Sequence, residues 1–189
     1  ADNNTGIGYA ALTSNTTGTL NTAVGTEALS NNTTANNNSA LGYQSLSANT
    51  TGAYNTAVGN ECLEFNTTAA HNTAVGHVAL YANTTGTQNT AVGSNALATA
   101  STGSYNVAAG YYALGSLTTG EYNTGVGRDA GGNVTTGSSN ALLGQDAGKS
   151  SSPSGAITTQ SNIICLGNNN ITDLYCADTS ISSSDSRDK

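Results

Sequence analysis

The sequence predicts an all-β fold: a parallel β-solenoid or β-roll wound in coils of 17 residues. Three observations carry the prediction. The phrase N-T-A-V-G and its variants recur at one fixed spacing. Nothing is inserted or lost between recurrences over most of the chain. The composition also lacks the large side chains that fill a conventional core: 8% of residues are charged and 5% aromatic, with one Phe and no Trp or Met. Disorder would require a higher net charge than the −7 found here and no placed apolar residues. Packing small residues in a repeat satisfies both facts.

The period is read from the Asn that opens each unit: Asn4, Asn21, Asn38, Asn55, Asn72, Asn89, Asn106, Asn123 and Asn140. Four residues on stands a glycine in every unit: Gly8, Gly25, Gly42, Gly59, Gly76, Gly93, Gly110, Gly127 and Gly144. A glycine required in every coil marks a corner with positive φ or a close backbone approach. The residue before it is aliphatic: Ile7, Val24, Leu41, Val58, Val75, Val92, Ala109, Val126 and Leu143. Eight residues after the Asn comes Leu in the first seven units, then Gly131 and Gly148. The second half of most units reads N-T-T-G or a variant, as at Asn15–Gly18, Asn49–Gly52 and Asn83–Gly86. Such a short period without insertions describes stacked coils, because one inserted residue breaks the ladder to the next coil. Seventeen residues suit one solenoid turn of two or three short strands, with Thr, Val, Ile and Tyr in strands and Asn and Gly at corners.

Within N-T-A-V-G, Thr and Val point one way and Asn, Ala and Gly the other. Neither face is charged, so this strand is expected to be buried on both sides. The T-T-G-x-x half carries Tyr54, His71, Gln88 and Glu121 at its variable positions and is expected to form an outer, wet strand. A thin solenoid has one interior only, so the second apolar face predicts oligomerisation around a common axis. Nine coils at the usual strand spacing make a rod of roughly 43 Å.

The expected domain plan has a nine-coil shaft over 1–148 and a linker over 149–160 containing the only proline, Pro153. A short β cap over 161–183 closes the open edge of the last coil. The stretch 184–189 stands apart and is taken up below. The chain opens on Ala1, which suggests a fragment or processed product, and no signal peptide is visible.

Composition also excludes functions. Four Lys and Arg cannot neutralise a phosphate backbone, so nucleic acid is not expected as a partner. No stretch is long and apolar enough to insert in a membrane as a helix. No cofactor and no metal site are expected, since His71 and His77 read as solvent-facing coil residues. Cys62 stands where other units have Ala or Ser and reads as a small buried thiol, and three cysteines do not make a disulfide framework, although Cys165 and Cys176 are able to pair. The N-x-T sequons at Asn15, Asn49, Asn66 and Asn83 read as turn ladders rather than glycan acceptors. Acidic residues such as Glu27, Glu61, Glu64, Glu121, Asp129 and Asp146 do not pair at recurring positions, as a glycoside hydrolase groove would require. Tyrosines from Tyr9 to Tyr122 are expected to cover strand edges. A tyrosine-lined strip is the first candidate for receptor contact.

N-T-A-V-G-x-x-A-L followed by N-T-T-G resembles the head repeats of trimeric autotransporter adhesins and the related repeats of phage tail fibres. The resemblance covers about residues 4–148 and implies a homotrimer of left-handed parallel β-rolls; the adhesin repeat is usually somewhat shorter than 17 residues. The last six residues, Ser184 to Lys189, resemble the start of the self-cleaving intramolecular chaperone domain of endosialidase type that follows phage tail fibres and tailspikes. The stretch before them resembles the lead-in to that domain. The match spans about 25 residues and stops where the rest of the domain would begin. It implies Ser184 as nucleophile and Lys189, five residues on, as base. Without the rest of that domain nothing positions the pair, and no enzymatic activity is expected of this chain. The two resemblances together imply an extracellular virion fibre, a tail fibre or tailspike shaft. It would hold a host-recognition surface, contact other tail proteins, and engage a host polysaccharide or receptor. The alternative is the head of a bacterial trimeric surface adhesin, which the S-D-S-R-D-K tail argues against. A polysaccharide-degrading tailspike ranks third.

Overall fold

The computed structural model describes residues 2–152 and 154–171. It is a parallel β-solenoid. Ten strands of three residues each form one sheet: β1 (Thr5–Ile7), β2 (Thr22–Val24), β3 (Ser39–Leu41), β4 (Thr56–Val58), β5 (Thr73–Val75), β6 (Thr90–Val92), β7 (Val107–Ala109), β8 (Thr124–Val126), β9 (Ala141–Leu143) and β10 (Ile164–Leu166). Sheet order is chain order, and every pairing is parallel. The register is that of the repeat, Ala23 opposite Ala40 and Ala40 opposite Ala57. Each coil therefore adds one rung.

The central residue of each strand points inward. Ala23, Ala40, Ala57, Ala74, Ala91 and Ala108 are buried, together with the column Leu29, Leu46, Leu63, Leu80, Leu97 and Leu114. Those leucines sit at positive φ, between about 50° and 53°. A left-handed leucine is strained, and its burial offsets the strain. The two units without this Leu have Gly131 and Gly148, both also at positive φ. Near Gly131 the interior is filled from another column. Leu142 replaces the usual strand alanine, and a Cβ on Gly131 would lie 2.5 Å from its Cδ1 and 2.6 Å from Leu114 Cδ2. The leucine has moved from one column to its neighbour, conserving volume.

The recurrent glycine is explained by both reasons available to it. Gly76 has φ +134, and a Cβ there would lie 2.6 Å from the carbonyl carbon of Gly93 in the next coil. The coils stack too closely at this corner for any side chain.

Two asparagine columns bind coil to coil. In the first, each Oδ1 accepts the backbone N–H of the Asn one coil on, as from Asn55 to Asn38 at 2.8 Å and from Asn89 to Asn72 at 2.9 Å. Each Nδ2 donates to a carbonyl across its own coil, as Asn38 to Gly52 at 2.9 Å. In the second column, Asn32, Asn49, Asn66 and Asn83 each donate Nδ2 to the Oδ1 of the Asn one coil before. These buried amides are ladder elements, as the sequence indicated for the sequons. Beyond Asn83 the column turns apolar: Ala100, Leu117, Val134 and Ile157, all buried. At the junction, Asn83 Oδ1 is the one buried side-chain polar atom among the described residues without a hydrogen-bond partner.

Two features differ from expectation. The N-T-T-G half is not a strand. Thr16 and Thr17 both donate their N–H to the Thr33 carbonyl, and the chain turns at a left-handed residue before each opening Asn, as at Tyr54 with φ 60°. A bifurcated bond and a reversed φ do not continue a strand. The second difference lies near the end of the shaft. Thr135 Oγ1 bonds the Thr158 carbonyl across a step of 23 residues rather than 17. The insertion falls between Gly148, which accepts the Ile157 N–H, and Ile157 itself. A tenth coil then closes on β9 through β10. The remainder of the expected cap, and the stretch 184–189, lie outside the described residues.

Candidate functional site

Two surfaces of the rod carry groups that the coil's own packing does not consume.

The first is the outer face of the sheet. Alternation places the first and third residues of each strand opposite the buried alanine. The third-position column, Ile7, Val24, Leu41, Val58, Val75, Val92, Ala109, Val126, Leu143 and Leu166, runs unbroken along the rod beside a column mainly of threonine. Val75, Val92 and Val126 are 36–43% exposed, while Val24 and Val58 are half-buried. The valine column singled out from the sequence is therefore on the sheet's outside, and the glycine column lies at the corner beside it. A continuous aliphatic stripe of this length is uncommon on the surface of a lone soluble chain.

The second is an aromatic column one residue before each opening Asn. Tyr54 stacks on His71 and Tyr105 on Tyr122, each pair at 4.9 Å between ring centroids and within 4° of parallel. These rings are exposed. All four have φ between 57° and 61°, a conformation that suits Asn, as at Asn3 and Asn37, better than an aromatic residue. Stacking of this kind contributes about 0.5–1.5 kcal/mol per pair. The sequence reading treated the tyrosines as strand-edge covers; aligned in the 17-residue register, Tyr54, His71, Tyr105 and Tyr122 form one file.

The remaining candidates are placed as follows. Cys62 is buried in the Ala and Ser column, its Sγ among the carbonyl oxygens of Val58, Ala74 and Gly76, and burial pushes its thiol up to about 11. Cys165 is buried near Ser154, and its pairing with Cys176 lies outside the described residues. Glu27, Glu61 and Glu64 lie close enough to act on one another. Burial, then the charges of Glu61 and Glu27, raise the Glu64 carboxyl above the usual range. Gln44 donates to Glu27 at 2.6 Å. Arg128 pairs with Asp129 and Asp146, and Lys149 with Asp129 at 3.0 Å. His77 is exposed, and His71 belongs to the stack. Ser184 and Lys189 lie outside the described residues.

Comparison with known protein families, with curated proteins and with solved structures finds no match for this chain. The chain's architecture is that of a β-solenoid repeat protein of the β-roll type.

Proposed function

We propose that this chain is the shaft of a homotrimeric virion fibre, a phage tail fibre or tailspike, which extends a host-recognition surface away from the particle. The observation that carries the reading is the unbroken aliphatic stripe on the outer face of the sheet. Half-exposed valines gain about 1 kcal/mol each when covered, and a stripe repeated in every coil gives that gain along the whole rod. Three copies packed on these stripes bury them around one axis. The repeat resemblance supplies the number three and the left hand of the roll. The resemblance of the last residues to a self-cleaving chaperone favours a fibre over a bacterial adhesin head. The role is mechanical and multivalent: three identical flanks meet a repetitive host surface together, which raises effective concentration without new contacts.

Replacing Val75 and Val92 with Asp tests this reading. Neither side chain enters the coil interior, so the far-ultraviolet circular dichroism is expected to stay unchanged while the sedimenting mass falls from three chains to one. An assembly unaffected by both charges overturns the reading.

A further inference from the structure

We propose that Tyr105 and Tyr122 form a dityrosine site. A one-electron oxidant of the peroxidase class, supplied with hydrogen peroxide, joins their rings and staples two successive coils. The inference goes beyond the fibre reading and does not depend on it.

The two phenols are presented alike. Each is the last residue of its coil, one position before Asn106 or Asn123, with φ 61° and 57°. Their rings are parallel within 3°, with centroids 4.9 Å apart. Both residues are exposed, at 44% and 55%, so an oxidant reaches them and the rings are free to swing together. The other aromatic pairs among the described residues lack this combination. Tyr54 stacks on His71 and Phe65 meets Tyr81 edge-on, so each of these pairs holds one phenol. Tyr111 and Tyr112 are chain neighbours, 6.3 Å apart and tilted by 37°.

The place in the shaft gives the bond a use. The coils that end on Tyr105 and Tyr122 carry Ala100 and Leu117 in the second column, where earlier coils carry Asn. The amide ladder has stopped at Asn83, so no side-chain hydrogen bond of that column joins these two coils. Cys62 and Cys165 are buried, and no disulfide among the described residues ties one coil to another. A covalent tie between coils restricts the unfolded chain and so favours the folded one.

The chemistry balances. The oxidant takes one electron and one proton from each phenol, leaving two tyrosyl radicals with spin density on the ring carbons ortho to oxygen. One such carbon of each ring couples to the other. Each coupled carbon then gives up its proton and each oxygen takes one, which restores two phenols joined by a carbon–carbon bond. Hydrogen peroxide accepts the two electrons and two protons and leaves as two molecules of water. Rings already held side by side couple within the chain faster than rings that must meet by diffusion.

The test treats the intact chain, at low concentration, with a haem peroxidase and hydrogen peroxide. Dityrosine is read by its fluorescence and located by mass spectrometry after cleavage at glutamate. Glu121 lies between the two tyrosines, so cleavage there places them on separate peptides that only the crosslink rejoins. The folded chain is expected to form this bond within single chains, about ten-fold or more faster than the chain unfolded in urea. Tyr105→Phe and Tyr122→Phe keep a ring in the stack and remove one phenol. Each is expected to cut the dityrosine yield about five-fold or more, with circular dichroism unchanged. Tyr43→Phe is expected to leave the yield as it was. The proposal is overturned if the folded chain forms no dityrosine or if the yield survives both Phe substitutions. It is equally overturned if the crosslinks fall on other tyrosines or between chains, or if the unfolded chain forms the bond as fast.

Discussion

Exchanging Asn49 or Asn83 for the isosteric Leu places the same change at two levels of one column, and the two should differ sharply in cost. Asn49 donates Nδ2 to Asn32 Oδ1 at 3.0 Å and to the Gly52 carbonyl at 2.9 Å, and accepts from Asn66 Nδ2 at 2.8 Å. Its removal deletes three hydrogen bonds and leaves Asn32 Oδ1 buried without a donor. The Gly52 carbonyl keeps its bond from Asn38. Asn83 donates to Asn66 Oδ1 and to the Gly86 carbonyl, both at 3.0 Å, and its own Oδ1 has no partner. Its removal deletes two bonds and orphans Asn66 Oδ1, but takes an existing orphan away. The column's unpaired end merely moves back one coil to Asn66, and the apolar run that begins at Ala100 is extended by one residue. With about 1 kcal/mol per buried bond and about 1–3 kcal/mol per stranded acceptor, Asn49→Leu should cost about 2–4 kcal/mol more than Asn83→Leu. For a chain of this size that is roughly 10 °C between the two melting temperatures. Differential scanning calorimetry at matched concentration reads the difference. Equal melting temperatures, or a larger loss at Asn83, would refute the reasoning that the column is a directional hydrogen-bond chain with one free end.

Other outcomes follow from the interior and its charges. Gly131→Leu should lose stability by about 1–3 kcal/mol through overpacking against Leu142 and Leu114, and adding Leu142→Ala should recover most of it, a coupling absent if the two columns do not share space. In a variant with Cys165 and Cys176 replaced by Ser, Cys62 should resist a maleimide at pH 8 and become labelled only at the rate of opening, because burial holds it as a thiol; fast native labelling would show that coil open. The raised Glu64 means the folded chain holds that proton more tightly than the unfolded one. Stability should therefore fall as pH rises from the ordinary carboxylate range through the raised value, and Glu64→Gln should flatten this slope and raise the melting temperature at pH 7; a slope unchanged by the substitution would assign it elsewhere.

Much of this architecture was legible because the chain repeats itself. Nine copies of one phrase act as independent readings of the same position. Thus the glycine corner and the buried Cys62 were placed by register alone, whereas an uncharged strand did not say that its alanine face is the coil interior and its Thr and Val face the outside. What was missed depends on features that a repeat does not announce. Left-handed φ at Leu20, Tyr54 or Tyr105 leaves no trace in residue type, so the N-T-T-G half read as a strand. The insertion after Gly148 hid the tenth coil, since Ile164–Leu166 pairs normally but at the wrong spacing. The leucine exchange between Gly131 and Leu142 is visible in sequence only once the columns are known to be neighbours. The aromatic file was present in the register from the start, but tyrosines read one at a time resemble edge covers, and only the ring geometry shows that Gln88 interrupts a stack.

The most direct test of the account is the mass of the intact chain in solution, by light scattering before and after mild heating. The stripe of Val75, Val92 and their equivalents predicts a heat-stable mass near three chains. A single folded chain, stable with its aliphatic stripe in water, would contradict it.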